Sequence, residues 1–232
     1  MTTPPLEVLY EDNHLLVVNK PAGLPTMGTP EGTVTLLTLA KQYVKQRYEK
    51  PGNVYLGVVS RLDAPVTGVV LLARTSKAAA RMTEQFRSHS AEKLYWALVE
   101  GELEPAGGEY LDWLVHDERH RHMRIAAATQ AGAKQARLRY RQLLPRGDLS
   151  LVEVQLETGR KHQIRLQMAH HGHAIVGDRK YGSRRAFGSG IALHSWRLTI
   201  VHPVRDESLS FEAPLPKSWP PFPPLASFPS SG

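Results

Sequence analysis

The stretch "SRLDAPVTGVVLLART" (residues 60–75) sets Arg61, Asp63 and Pro65 directly before a run of apolar residues. A carboxylate at the mouth of an apolar strand must be paired or exposed, because an ionised Asp without a partner is costly to bury. Arg61 is the nearest cation along the chain, and two residues of extended backbone put both side chains on one side. Pro65 biases Ala64 towards an extended shape, so Asp63 sits on a constrained loop and not in a helix. An ionised carboxylate held in that way is suited to nucleophilic attack or proton abstraction. The plain alternative for an isolated "LDAP" is an Asp that caps a turn, and taken alone the motif favours it.

Other candidate chemistries are weaker. Eleven His include the clusters "HDERHRH" (116–122) and "HHGH" (170–173), and imidazole with carboxylate is a common ligand set for zinc or manganese. Neither cluster has a ligand spacing such as HExxH, so a metal-dependent phosphodiesterase is disfavoured and no metal is expected. The chain has no Cys, which removes disulfides, thiolate nucleophiles and thiolate metal sites. No GxGxxG or GxxxxGK[ST] follows a strand, so a glycine loop that cradles phosphate is unsupported.

The elements that must position Asp63 can be read from periodicity. "LLVVNKPAG" (15–23) is a buried strand stopped by Pro21 and Gly23. Val34, Leu37, Val44 and Tyr48 recur at helical spacing. "VYLGVV" and "GVVLLAR" are strands on either side of the Asp63 loop, and Ser76 caps a helix with Ala79, Met82 and Phe86 on one face. "KLYWALVEG" is a further strand, after which the pattern blurs through "HDERHRHMRIAAATQAGAK". In "ARLRYRQLL", Arg137, Arg139 and Arg141 alternate with Ala136, Leu138 and Tyr140, a strand half buried and half basic. "LSLVEVQLE" is its antiparallel neighbour. A turn at Thr158 and Gly159 leads to a short helix "HQIRLQMAHHG" stopped by Gly172, and then to the strand "LHSWRLTIV". Strands with short connections and a few interspersed helices predict an α+β fold with a mixed, largely antiparallel central sheet, flanking helices and a cleft for the active site.

With 232 residues, 41% of them hydrophobic, the chain can bury a substantial core. A net charge of +7 favours a polyanionic partner, nucleic acid first. No run is long enough to span a membrane and the first residues lack a signal-peptide pattern, so the cytoplasm is expected. Residues 1–213 read as one domain. Residues 214–232, rich in proline, read as an extended tail.

"RLDAPVTGVVLLA" resembles the signature of the RluA-type RNA pseudouridine synthases. Further blocks resemble that family in the same order: "YEDNHLLVVNKPAGLPT" (10–26), "KLYWALVEG" (93–101), "TGRKHQIRLQMAHHGHAIVGDRKYG" (158–182) and "LHSWRLTIVHP" (193–203). The resemblance implies isomerisation of a uridine in ribosomal or transfer RNA, without cofactor. It implies that Asp63 is the catalytic carboxylate, that Arg165 pairs with it, and that Tyr95 stacks on uracil and assists loss of the C5 proton. Arg61 matches an arginine that fills the gap left by the flipped nucleotide. Arg160 and Lys161 are expected at phosphates, Ile164 at the base, and the Arg137, Arg139 and Arg141 face is either an RNA track or a solvated surface. Ser60 stands where His is common, Val66 and Thr67 replace the usual Thr-Ser, and Gln167 replaces a frequent His, so RNA context is in doubt and the chemistry is not. The first catalytic-domain strand starts near residue 6, which leaves no room for the separate N-terminal RNA-binding domain that many relatives carry. A catalytically silent RNA-binding protein on the same fold is the alternative that Asp63, Tyr95 and Arg165 together disfavour.

Overall fold

The computed structural model describes residues 6–222 apart from 31 and 121. Eleven strands form one sheet: β1 (Glu7–Glu11), β2 (Leu15–Lys20), β3 (Gly57–Val58), β4 (Thr67–Ala73), β5 (Glu92–Glu100), β6 (Gly107–Asp117), β7 (His122–Ala126), β8 (Lys134–Arg146), β9 (Leu149–Leu156), β10 (Leu193–Val201) and β11 (Ser208–Glu212). Their spatial order is β1-β2-β4-β10-β5-β9-β8-β6-β7, with β3 on β4 and β11 on β10. All pairs are antiparallel except β10 with β4, which run parallel through His194↔Thr67 and Ser195↔Gly68. Three helices pack on the sheet: α1 (Leu36–Arg47), α2 (Ser76–Arg87) and α3 (Gln163–His170). The expected α+β class with a mixed, largely antiparallel sheet is what forms.

Every residue of β4 is buried, because the strand is covered on both faces and therefore reads as an unbroken apolar run. On one face Leu16, Val18, Val70 and Leu72 meet Leu36, Leu39, Ala40 and Val44 of α1. On the other Leu15, Val17, Val69 and Leu71 meet Met82 and, at the margin, Phe86 of α2. Thr35 and Thr38 close a reciprocal capping box at the start of α1, which satisfies two otherwise orphan donors. Thr75 caps α2, and the expected cap Ser76 is instead its first residue. β3 keeps only two residues of "VYLGVV". The stretch whose pattern blurs forms most of the β6–β7 hairpin.

The second half of the sheet is covered by α3, whose Ile164 and Met168 pack with Tyr110, Leu138, Tyr140 and Val154. Part of the stretch read as an extended tail belongs to this core: Trp219 is 6% exposed there, with Leu215 and Phe222 at its margin. The rest, 223–232, lies outside the described residues. The seam between the halves is tight where β4 meets β10. A Cβ on Gly68 would stand 2.2 Å from the Ser195 carbonyl oxygen, and its φ is +111°, so only glycine fits this crossing. Among the described residues no helix is long and apolar enough to cross a membrane.

Candidate active site

Asp63 opens the turn that leads into β4, with its carbonyl accepting from Val66 N at 3.0 Å. Both peptides that flank it are clamped to the loop after β2. The Thr26 hydroxyl donates to Leu62 O at 2.8 Å and accepts from Leu62 N at 3.1 Å. Ala64 O accepts from Lys20 Nζ at 3.1 Å and from Gly23 N at 2.8 Å. Lys20 is fully buried, and its ammonium also donates to Pro21 O and Leu24 O. Burial pushes it down to about 7, with the nearby Asp63 charge opposing. Lys20 and Thr26 are part of the site and carried no signal of their own in the sequence beyond the "NKPAG" turn.

The carboxylate of Asp63 does not pair with Arg61. It accepts from Arg165 Nη1 at 2.9 Å through Oδ2. Arg165 is itself locked: Nε and Nη2 donate to the two oxygens of Asp178 at 2.7 and 2.9 Å. Asp178 is 1% exposed and Arg165 6%, so the guanidinium is a buried fork with one carboxylate on each side. Both anions and their hydrogen bonds raise Arg165 above its ordinary value against the opposing effect of burial. The Asp63 side chain keeps 28% of its surface exposed, so it is anchored on one side and open on the other. Asp178, which no spacing in "VGDRKYG" singled out, completes the pair.

Two further groups frame the carboxylate. Tyr95, on β5 opposite Ser195 and Val154, is pushed up to about 12 by burial, with the Asp63 charge adding and the Ser195 side chain opposing. Its phenol is therefore neutral at physiological pH. His162 precedes α3 with a left-handed backbone, φ 55°, which aims its ring back at the loop: Nε2 lies 3.6 Å from Asp63 Oδ2, and Nδ1 lies 2.7 Å from the Tyr181 hydroxyl.

The remaining sequence candidates separate into two groups. Arg61 is exposed beside Asp63, and no hydrogen bond or ion pair holds it among the described residues. Arg160 and Lys161 are exposed at the entry to α3; Arg160 Nε donates to Gln135 O at 2.9 Å. Ile164 is 4% exposed and packs in the core that Tyr95 borders. Arg137, Arg139 and Arg141 lie elsewhere. Strand alternation puts them on the face of β8 away from Leu138, Tyr140 and α3. There Arg139 Nε lies 2.9 Å from Glu157, Arg137 Nε 3.4 Å from Glu109, and Arg141 Nη2 2.6 Å from Glu153. Acidic partners on β6, on β9 and just after β9 pair with this stripe.

The departures from the family pattern have structural partners. The Ser60 hydroxyl accepts from Leu71 N at 2.9 Å, Val66 is buried in the core, and Gln167 Nε2 donates to Asp112 at 2.7 Å between β6 and α3. Of these, Gln167 bears on packing, because it faces β6 and not Asp63. The histidine clusters contribute Asp112, His170 and His171 at one end of α3, and Asp117, His120 and His122 on the β6–β7 hairpin, as groups of close ligand atoms. Neither group includes a residue that touches Asp63.

Because a single hydroxyl bridges Leu62 in both directions on one side of Asp63, Thr26→Val is expected to loosen the loop without altering charge. The variant leaves buried peptide groups unpaired, a cost of about 1–3 kcal/mol. Misplacing a reacting group costs turnover heavily, so the rate of the chemical step should fall roughly 10- to 100-fold. Rapid-quench single turnover together with thermal denaturation checks both; a variant with normal turnover removes the clamp from the account.

Comparison with known proteins agrees with this geometry. Residues 14–170 match the family model described as RNA pseudouridylate synthase. The chain is 33% identical over 226 residues to the ribosomal large subunit pseudouridine synthase D of Zymomonas mobilis, covering 92% of this chain and 70% of that protein. It is 37% identical over 219 residues to an uncharacterized RNA pseudouridine synthase of Synechocystis, covering 91% of this chain and 66% of the relative. Among solved structures, the human RNA pseudouridylate synthase domain containing 4 superposes with a TM-score of 0.77 at 25% identity, covering 91% of this chain and 89% of that one. With the sheet, the anchored carboxylate and these relatives in agreement, the chain belongs to the RNA pseudouridylate synthase family, in its RluA-type branch, and is an isomerase that acts on RNA.

Proposed function

We propose that this chain isomerises one specific uridine of structured RNA to pseudouridine in the cytoplasm, with Asp63 as the catalytic carboxylate. The observation that carries the assignment is the ion triad: Asp63 held at 2.9 Å by Arg165, which Asp178 in turn grips through two bonds. A guanidinium fixed in this way orients the carboxylate and leaves it no freedom to swing away. The chemistry it serves is an exchange within one nucleotide. The N1–C1′ bond breaks, the freed uracil turns, a C5–C1′ bond forms, and the proton lost from C5 is balanced by one gained at N1. No net oxidation or reduction occurs, so the reaction calls for neither metal nor organic cofactor. Asp63 acts at the ribose, where positive charge develops as the glycosidic bond weakens. The neutral Tyr95 phenol borders the base.

The target nucleotide must leave its stack to reach Asp63, and Arg61, exposed beside the carboxylate, is placed to fill the vacated space. Arg160 and Lys161 meet the phosphates at the entry to α3. The relatives named for the ribosomal large subunit favour ribosomal over transfer RNA as the substrate. Mapping pseudouridine across total RNA from cells with and without this protein tests the reading. One modified position lost in its absence, and regained in vitro with purified protein, supports it; an unchanged map together with inert purified protein overturns it.

A further inference from the structure

We propose that His162 is a positioning residue: as a neutral ring carrying its proton on Nε2, it steadies Oδ2 of Asp63 beside Arg165, and Oδ1 is therefore the oxygen presented to the ribose. The inference rests on the reading of Asp63 as the catalytic carboxylate and adds which oxygen reacts and what sets it.

The argument starts from the Tyr181 hydroxyl, which has one proton to give. It accepts from Met123 N at 3.3 Å and lies 2.7 Å from His162 Nδ1. A phenol that already accepts from a peptide N–H is best satisfied by donating its own proton to the ring nitrogen. Nδ1 is then the acceptor, and in a neutral imidazole Nε2 must carry the hydrogen. Nε2 lies 3.6 Å from Asp63 Oδ2, just outside hydrogen-bond range in the free enzyme. Hydrogen bonds of catalytic groups are often long in the free enzyme and tighten in the reacting complex.

The ring stays neutral for a physical reason. His162 is pushed down to about 4 by burial, with Arg165, Lys180 and Lys161 lowering it further and only Asp63 pulling it up. The other charged groups at the carboxylate are Arg61 two residues before it, Lys20 from the loop after β2 and Asp178 beyond Arg165. Tyr95 from β5 is neutral. Arg165 and His162 thus approach the same oxygen, Oδ2, while Oδ1 makes no hydrogen bond among the described residues. An anchored oxygen and a free one divide the carboxylate's work between holding and reacting. The backbone supports the same assignment, because His162 adopts φ 55°, a conformation that non-glycine residues avoid unless the surroundings hold them there.

Two measurements test the proposal. The first needs no RNA: ¹⁵N spectra of histidine-labelled protein at pH 7 should show His162 neutral with the proton on Nε2. Tyr181→Phe should move part of that population to Nδ1, and Asp63→Asn should shift the Nε2 signal. A protonated ring at pH 7, or a proton resident on Nδ1 in the wild type, overturns the assignment whether or not the chain proves active on RNA. The second is the single-turnover rate. His162→Ala should slow turnover roughly tenfold, because the group that steadies Oδ2 is gone. His162→Gln places an amide N–H near the position of Nε2 and carries a similar backbone cost, so it should restore most of the rate. Equal losses in both variants would mean that His162 acts only in folding and would overturn the proposal. An inactive wild type would instead defeat the functional reading, and the spectra would still report on the ring.

Discussion

Asp63→Asn is expected to reduce isomerisation by at least about 10⁴-fold, the scale on which removal of a nucleophile or its partner acts in other enzymes, while RNA affinity stays within a few-fold. The amide keeps the shape of the carboxylate and one oxygen for Arg165, but it loses the charge and the nucleophilicity that the ribose step requires. Folding should tolerate the change. Arg165 remains paired through its two bonds to Asp178, and the Asp63 side chain is 28% exposed, so no buried charge is stranded. Tritium release from [5-³H]uridine RNA reads the loss of the C5 proton, and filter binding reads affinity. Substantial release by a pure preparation of the variant would defeat the assignment of Asp63.

The second large effect lies in the partner. Arg165→Met removes the cation from between two anions and leaves Asp178, 1% exposed, without its counter-charge. Stranding one member of a buried ion pair costs about 3–5 kcal/mol, which for a chain of this size lowers Tm by roughly 10 °C. Turnover should be lost as well, because Asp63 then has no cation to orient it. The two losses have separate causes and can be separated. Arg165→Met with Asp178→Asn replaces the stranded carboxylate by an amide, so stability should recover by more than half while turnover stays absent. Calorimetry and single-turnover assays on the two variants check this. Recovery of activity in the double variant would mean that Arg165 serves only to neutralise Asp178. Arg165→Lys is a milder probe: a point charge cannot hold both carboxylates in the bidentate geometry of the guanidinium.

The contacts that place Asp63 and its loop share a property: each partner is remote in the chain. Asp63 and Arg165 are 102 residues apart, and Thr26 and Leu62 are 36 apart. What the amino-acid sequence determined by itself is what depends on near neighbours. The apolar run of β4 follows from burial on both faces, the alternation of β8 from burial on one, and the end of α3 from Gly172, whose φ is +90°. Those patterns placed most of the elements along the chain, and the motif around Asp63 with its companions in order pointed to the family. The β6–β7 hairpin escaped because its β6 burial pattern is irregular; pairing with β8 makes it a strand where periodicity does not.

The resemblance to the family pointed to Arg165 as the partner of Asp63, and the tertiary structure shows that pair and what holds it. Arg61 is the natural partner of Asp63 by distance along the chain, yet the sheet and α3 deliver Arg165, and the loop before the 3₁₀ turn at Arg179–Tyr181 delivers Asp178 to hold it. The basic stripe of β8 is legible as a stripe. Its pairing with acidic side chains is not, because it depends on the register that sets Arg139 opposite Glu109 and Arg141 opposite Glu153. The ring of His162 turns towards Asp63 through one left-handed residue, a backbone choice that no residue-type pattern announces. Periods of 2 and 3.6 residues are local and survive in a one-dimensional string, whereas Coulomb energy and hydrogen bonding depend on distances that exist only once the chain has closed on itself.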